Sequence, residues 1–210
     1  MLRVSAALVV MAKEPVGGRV KTRLCPPLEH SQAAALAEAA LGDTLAAVGW
    51  TPAPRRIVVL DGARGPWLPD GFEVIEQRGD GLAERLANAT RDIGEPLLFV
   101  GMDTPQLTRA LLCAALERLD ETDVDAVLGP TTDGGYWTIG LNEPDPAVFE
   151  GVPMSTASTA AAQRARLQEL GLRTSELDAM RDVDTFEDAE AVALQAPWTS
   201  FAATFELITS

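Results

Sequence analysis

Leu97-Leu98-Phe99-Val100-Gly101-Met102-Asp103-Thr104-Pro105 is the stretch that decides the fold of this chain. Four consecutive apolar residues after Pro96 describe a strand buried on both faces, the habit of a strand inside a parallel sheet covered by helices. Gly101 lets the backbone come close to whatever lies above the strand's end. Asp103 then stands at a carboxyl edge, where open α/β sheets bind their ligands, and a carboxylate there is placed to hold a divalent cation carrying phosphate. Taken alone, Asp103 has a second reading, as the cap of a helix beginning near Thr108 or the closure of an Asx-turn before Pro105.

The neighbouring segments repeat the same alternation. Ser5 to Met11 reads as a central parallel strand, Arg56–Asp61 as a second buried strand, and Phe72–Gln77 as a more exposed one in which acids alternate with apolar residues. Asp125–Pro130 follows as another apolar strand, and Tyr136–Leu141 returns antiparallel because its connection is so short. Between them lie helical patterns at Ser31–Val48, Leu82–Ile93 with Asp80 as its cap, Thr108–Leu119, and Thr159–Leu170 stopped by Gly171. Thr185 and Asp188 form a capping box for a last helix to about Leu194, and the tail from Pro197, with Trp198, Phe201 and Phe205, reads as core cover. Strands alternating with helices predict an α/β fold, a mostly parallel central sheet with helices on both faces, in one domain over residues 1–210.

Composition narrows the function. The 17 Lys and Arg face 31 Asp and Glu, a net charge of −14 that repels nucleic acid and anionic membrane. No apolar run approaches the ~20 residues of a membrane span, and no leader pattern precedes the first strand. Cys25 and Cys113 are too few for a disulfide framework or a zinc site, which fits a reducing cytoplasm. The single histidine, His30, stands at a helix entrance with no nucleophile motif to serve, and reads as structural.

Against that acidic background, Lys13-Glu14-Pro15-Val16-Gly17-Gly18-Arg19-Val20-Lys21-Thr22-Arg23-Leu24 carries a local charge of +3. Backbone amides freed by Gly17 and Gly18 beside Lys13, Arg19, Lys21 and Arg23 are how a loop after a first strand cradles phosphates. The loop lacks both the Gly-Lys-Ser/Thr ending of a Walker loop and the dinucleotide fingerprint. Thr131-Thr132-Asp133-Gly134-Gly135-Tyr136-Trp137 gives a second close-approach loop with Asp133 at its mouth, and its two aromatics suggest an apolar platform with a polar rim. Late in the chain, Asp182 and Asp184 point the same way in extended backbone, and like charges so placed repel unless a cation lies between them.

In this order, these motifs resemble the GT-A fold of nucleotide-diphospho-sugar transferases. More closely, residues 12–24, Gly101-Met102-Asp103-Thr104-Pro105, Gly129-Pro130 with Asp133-Gly134-Gly135-Tyr136-Trp137, and Asp182-Val183-Asp184-Thr185 resemble the bacterial DUF2064 glycosyltransferases. The layout is also similar to the guanylyltransferase that activates phospholactate in cofactor F420 synthesis, through its Lys-Thr-Arg-Leu loop and late Asp motif. The resemblance implies that Lys21 and Arg23 contact a diphosphate, that Asp103 with Asp182 and Asp184 holds Mg²⁺ or Mn²⁺, and that Gly134 and Gly135 border the acceptor. Lys13, Gly17, Gly18, Arg19, Gly101 and Tyr136 complete the substrate-binding set, and Asp103, Lys21 and Asp133 are the candidate catalytic groups. One departure stands out: many GT-A enzymes carry Asp-x-Asp at this strand end, whereas Asp103 is followed by Thr104-Pro105. The implied partners are a nucleotide sugar or nucleoside triphosphate and a small-molecule acceptor. Three functions remain open at this point: sugar transfer first, nucleotidyl transfer with release of pyrophosphate second, and a non-catalytic nucleotide-binding regulator third.

Overall fold

The computed structural model describes residues 6–210. Seven strands, β1 (Ala7–Lys13), β2 (Arg56–Asp61), β3 (Glu73–Glu76), β4 (Leu97–Gly101), β5 (Ala126–Pro130), β6 (Tyr136–Leu141) and β7 (Thr174–Glu176), form one sheet in the order β3-β2-β1-β4-β6-β5-β7. β1 pairs in parallel with β2 and with β4, β2 with β3, and β5 with β7. β6 alone runs against its neighbours β4 and β5. The connections are therefore crossovers except on either side of β6: a tight turn joins β5 to β6, and β6 returns through the helix Thr159–Glu169 to β7, which runs against it. Because β6 is reversed, that turn lies at the same edge as the carboxyl ends of the other six strands.

The described residues form six α-helices, α1 (His30–Trp50), α2 (Leu82–Ile93), α3 (Arg109–Leu119), α4 (Thr159–Glu169), α5 (Phe186–Gln195) and α6 (Ser200–Thr209), of which α1 to α4 cover the sheet. One face of the sheet, with Leu8, Val10 and Val100, packs on Leu41, Leu45 and Val48 of α1 and Leu112 and Leu116 of α3. The other face, with Val9, Phe99 and Ile139, packs on Leu86 of α2, Leu167 of α4 and Phe149 of the turn before it. Helix α1 has a second apolar side, Ala33, Leu36 and Ala40, which meets Val192 of α5 and Phe201 and Phe205 of α6. Sandwiched between sheet and C-terminal hairpin, α1 has no need of a polar face on those two sides, which accounts for its run of Ala and Leu. The carboxylate of Asp43 on α1 accepts from the amides of Ser200 (2.9 Å) and Phe201 (2.8 Å), capping α6 from outside its own segment.

Most boundaries agree with the expected ones, with differences at particular residues. β1 continues two residues further, through Ala12 and Lys13, which pair with Leu60 and Asp61; Ser5 lies outside the described residues. Asp80 does not cap α2. Gly81 is the cap residue, and the side chain of Glu84 reaches back to accept from the Asp80 amide (2.9 Å). β7 and α6 were not expected at all. Trp198 stands 69% exposed, so the tail's core cover is Phe201 and Phe205 without it. Among the described residues, no helix is long and apolar enough to cross a membrane.

The capping box of α5 is present as expected. Thr185 Oγ1 accepts from the Asp188 amide (3.2 Å) and Asp188 Oδ2 from the Thr185 amide (3.0 Å), while Asp188 Oδ1 also accepts from Arg181 (2.8 Å). Asp188→Ala is expected to cost about 0.5–2 kcal/mol in a denaturant titration.

Candidate functional site

The carboxyl edge of the sheet opens into a cleft of about 680 Å³. Lys13 at the end of β1 and Arg19, Lys21 and Arg23 on the following loop form its basic wall. Four acids face them: Asp103 just past β4, Asp133 in the β5–β6 turn, and Asp182 and Asp184 on the segment entering α5. A third wall consists of Tyr136 and residues from Met154 to Thr159.

Lys21 is the hub. Its backbone is left-handed (φ 49°, ψ 35°), an uncommon conformation for a residue with a side chain, and its side chain is only 8% exposed. The ammonium donates to Asp103 Oδ1 at 2.7 Å, to Asp184 Oδ1 at 3.4 Å, and to the carbonyl of Val183. Burial works against its charge, but Asp103 and Asp184 outweigh burial and raise the pKa of Lys21 above the ordinary lysine value. Arg23 donates to the other oxygen of Asp184 at 2.9 Å. One loop is thereby fastened to two acids far away in the chain.

Asp133, Asp182 and Asp184 present carboxylate oxygens within 4.8 Å of one another. Val183, between two of them, turns into the core and is 1% exposed, so strand alternation sends Asp182 and Asp184 to the cleft. The carboxyl of Asp182 is pushed up to about 6, by burial first and then by Asp133 and Asp184. Three oxygen donors that repel one another suit a hard divalent cation such as Mg²⁺ or Mn²⁺. Asp133 is fixed by its own turn, its Oδ1 accepting from Thr131 Oγ1 (2.5 Å) and from the Gly135 amide (2.9 Å). The expected trio was Asp103 with Asp182 and Asp184. The geometry groups Asp133 with the late pair and sets Asp103 against Lys21.

The remaining expected residues are distributed as follows. Lys13 Nζ and Arg19 both lie 3.9 Å from Asp61, the last residue of β2. Asp61 is held below the usual carboxylate range by its hydrogen bond from Arg85 (2.9 Å) above all, and Arg85 also donates to Gln77 (3.1 Å). Gly135 and Tyr136 line the cleft. Gly17, Gly18, Gly101 and Gly134 do not, although Gly134 builds the turn: its φ is +96°, and a Cβ there would stand 2.0 Å from the carbonyl oxygen of Ala157. Trp137 is no part of a platform. It is 3% exposed and donates from its indole to the Asp178 carbonyl (3.1 Å), while Tyr136, its neighbour in the strand, points the other way. Sequence reasoning missed Asp61, whose signal was available, since it ends an apolar strand much as Asp103 follows one. It also missed the wall from Met154 to Thr159, whose hydroxyl run Ser155-Thr156 was the visible trace.

The profile of a family described as "Uncharacterized protein conserved in bacteria (DUF2064)" matches residues 33–156, more than half of the chain. That span includes Asp103 and Asp133 but neither the basic loop nor the late acids. No curated protein matches the sequence. Among solved structures, a protein of Desulfovibrio desulfuricans G20 provisionally described as a nucleotide-diphospho-sugar transferase is similar at 26% identity, with a TM-score of 0.85 over 97% of this chain and 94% of that one. Rv0371c of Mycobacterium tuberculosis H37Rv in complex with manganese is similar at 20% identity and a TM-score of 0.54, covering 90% of this chain and 97% of that one. A CMP:2-keto-3-deoxy-manno-octonic acid synthetase complexed with CTP is similar at 16% identity and a TM-score of 0.52, covering 92% and 100%. The fold of this chain is that of the nucleotide-diphospho-sugar transferases.

Proposed function

The chain belongs to the DUF2064 family, and on that footing we propose that it transfers a sugar from a nucleotide-diphosphate donor to a small-molecule acceptor with the help of a divalent cation. A transferase acting on nucleotide-activated substrates is the coarser statement, and the structural relatives support it. The acid cluster facing the basic loop across the cleft supports the finer one. The cleft lining has four cations, Lys13, Arg19, Lys21 and Arg23, and four carboxylates, Asp103, Asp133, Asp182 and Asp184. Such a lining can seat one divalent cation on its acids and the diphosphate of a nucleotide sugar on its bases.

Asp133, Asp182 and Asp184 would hold the cation, whose chemistry is to neutralise charge on the departing diphosphate. Arg23 binds the same phosphates by charge-assisted hydrogen bonds, and Lys21, whose three donors are held by Asp103, Asp184 and the Val183 carbonyl, adds its positive charge beside them. Tyr136 and Thr156 bound the side left to the acceptor. In transfer, an acceptor hydroxyl oxygen bonds to the sugar carbon as the bond from that carbon to the diphosphate breaks, and the hydroxyl proton passes to water. The electron pair leaves with the diphosphate, against Lys21 and Arg23.

The test is a panel of nucleotide sugars and nucleoside triphosphates incubated with the purified protein and Mn²⁺. Slow release of nucleoside diphosphate from at least one nucleotide sugar is expected, with no pyrophosphate from any triphosphate. Asp103→Asn should fold normally, because Asp103 is partly exposed and an amide oxygen still accepts from Lys21. It should lose the release, because a neutral amide no longer pairs with the Lys21 charge and holds it less firmly against the phosphates. Pyrophosphate that forms only with a second substrate, and disappears in Asp103→Asn, would replace sugar transfer by nucleotidyl transfer.

A further inference from the structure

Gln106 lies behind the cleft rather than in it. It follows the Asp103 turn, is 6% exposed, and its side-chain amide donates to the carbonyl of Arg181, the residue before Asp182. Its carboxamide oxygen is buried with no hydrogen-bond partner among the described residues. A buried acceptor left unpaired costs free energy that an apolar side chain of similar volume would not. For packing alone, Gln106 is therefore a poor choice, and its amide must be accounted for by what it holds.

What it holds is the acidic segment. The 181–184 backbone is tied to the Asp103 turn by two hydrogen bonds, from Gln106 to the Arg181 carbonyl and from the Val183 amide to the Asp103 carbonyl (2.9 Å). One tie flanks Asp182 on each side. Met180, just before them, is fixed to β5 through the Pro130 carbonyl (3.1 Å) and the Thr132 amide (3.0 Å). Asp182, between the two ties, shares the cluster that would hold the cation with Asp133 and Asp184, their carboxylate oxygens lying within 4.8 Å of one another. Like charges that close repel, and the two ties fix the backbone that carries Asp182 against that repulsion.

We infer that Gln106 is a positioning residue, its side-chain amide fixing the backbone at Arg181 so that Asp182 meets Asp133 and Asp184 at cation-binding distance. This rests on the cation-dependent reading above. Groups one layer out from a metal set ligand geometry in the same way, and their loss typically costs 10–100-fold in metal affinity.

The experiment compares Mn²⁺ affinity, from the fall in the free-ion EPR signal on titration, with thermal unfolding in the absence of metal. Gln106→Met is expected to unfold at or above the wild-type temperature and to bind Mn²⁺ about 10–100-fold more weakly. Thr108→Ala is the contrast: Thr108 caps α3 through the Leu111 amide, so this variant should unfold earlier and bind Mn²⁺ as the wild type does. Gln106→Leu takes the place of Gln106→Met if the thioether prevents folding. Wild-type Mn²⁺ affinity in a folded Gln106 variant would overturn the positioning role alone. Absence of Mn²⁺ binding by the wild-type protein would overturn the cation-dependent reading and this role together.

Discussion

Asp182→Asn is expected to make the protein more stable at pH 7 and to weaken Mn²⁺ binding by on the order of 100-fold or more, beyond what loss of an outer-layer group costs. Both effects follow from one carboxyl. In the folded chain Asp182 titrates near 6, raised by burial and by Asp133 and Asp184, whereas an unfolded chain ionises it near its ordinary value of about 3.9. A folded-state pKa above the unfolded one means that ionisation opposes folding. The penalty is absent below about pH 4, grows between 4 and 6, and is complete above 6. Allowing for screening of a group in partial contact with water, it amounts to roughly 1–2 kcal/mol. The neutral amide removes it. The stability gain should therefore be full at pH 7, shrink through the window from 6 to 4, and vanish below, which denaturant titrations at three pH values can read. A variant less stable than wild type at pH 7 would show that Asp182 is a structural partner and not a strained ligand.

Gly134→Ala should have the opposite character, a large loss of stability with no compensating gain. The residue has φ +96°, a region that side chains rarely enter, and its added methyl would stand 2.0 Å from the Ala157 carbonyl oxygen. The backbone cannot simply move aside, because the Gly134 carbonyl accepts from the Ala160 amide (2.8 Å) at the start of α4. Backbone strain and overpacking together give roughly 2–5 kcal/mol. Because the turn also carries Asp133, metal binding should fall with it. Wild-type stability in Gly134→Ala would mean that the β5–β6 turn and residue 157 are not locked together.

The sheet was legible where strands are apolar runs with a turn after them, as in Arg56–Asp61 and Tyr136–Leu141, both found at the expected residues. β7 was not, since Thr174-Ser175-Glu176 has no apolar pattern and forms a strand only because the edge of β5 offers pairing partners. Helix α6 was hidden for a different reason. Its residues 200–209 contain no Lys or Arg and follow Pro197, so they read as a covering tail, and their helix is stabilised by Phe201 and Phe205 on α1. In the site, the charged residues announced themselves as departures from their surroundings: a basic loop in an acidic chain, and acids after apolar strands. Which acid meets which partner depended on sheet order. Asp133 reaches Asp182 because β5 lies beside β7, and Lys21 reaches Asp103 because β1 lies beside β4. The pairing of Tyr136 with Trp137 in one platform was a misreading that the pleat alone could have prevented.

The tie of Lys21 to Asp184 joins residues 163 apart in sequence, and the pairing of Ala7 with Leu97 closes a loop of some ninety residues at the centre of the sheet. Contacts of that span form late, because a long segment must be brought back before any energy returns. The cleft is consequently expected to take shape late in folding, which φ-values at Lys21 and Asp184 near zero would show. A helix or a lone hairpin can exist before the rest of the chain has collapsed, but the cation cluster and the Lys21 hub exist only once β1, β4, β5 and the segment entering α5 are together. A ligand of this site is then expected to slow unfolding and leave the folding rate unchanged: occupancy lengthens the protein's lifetime without hastening its birth.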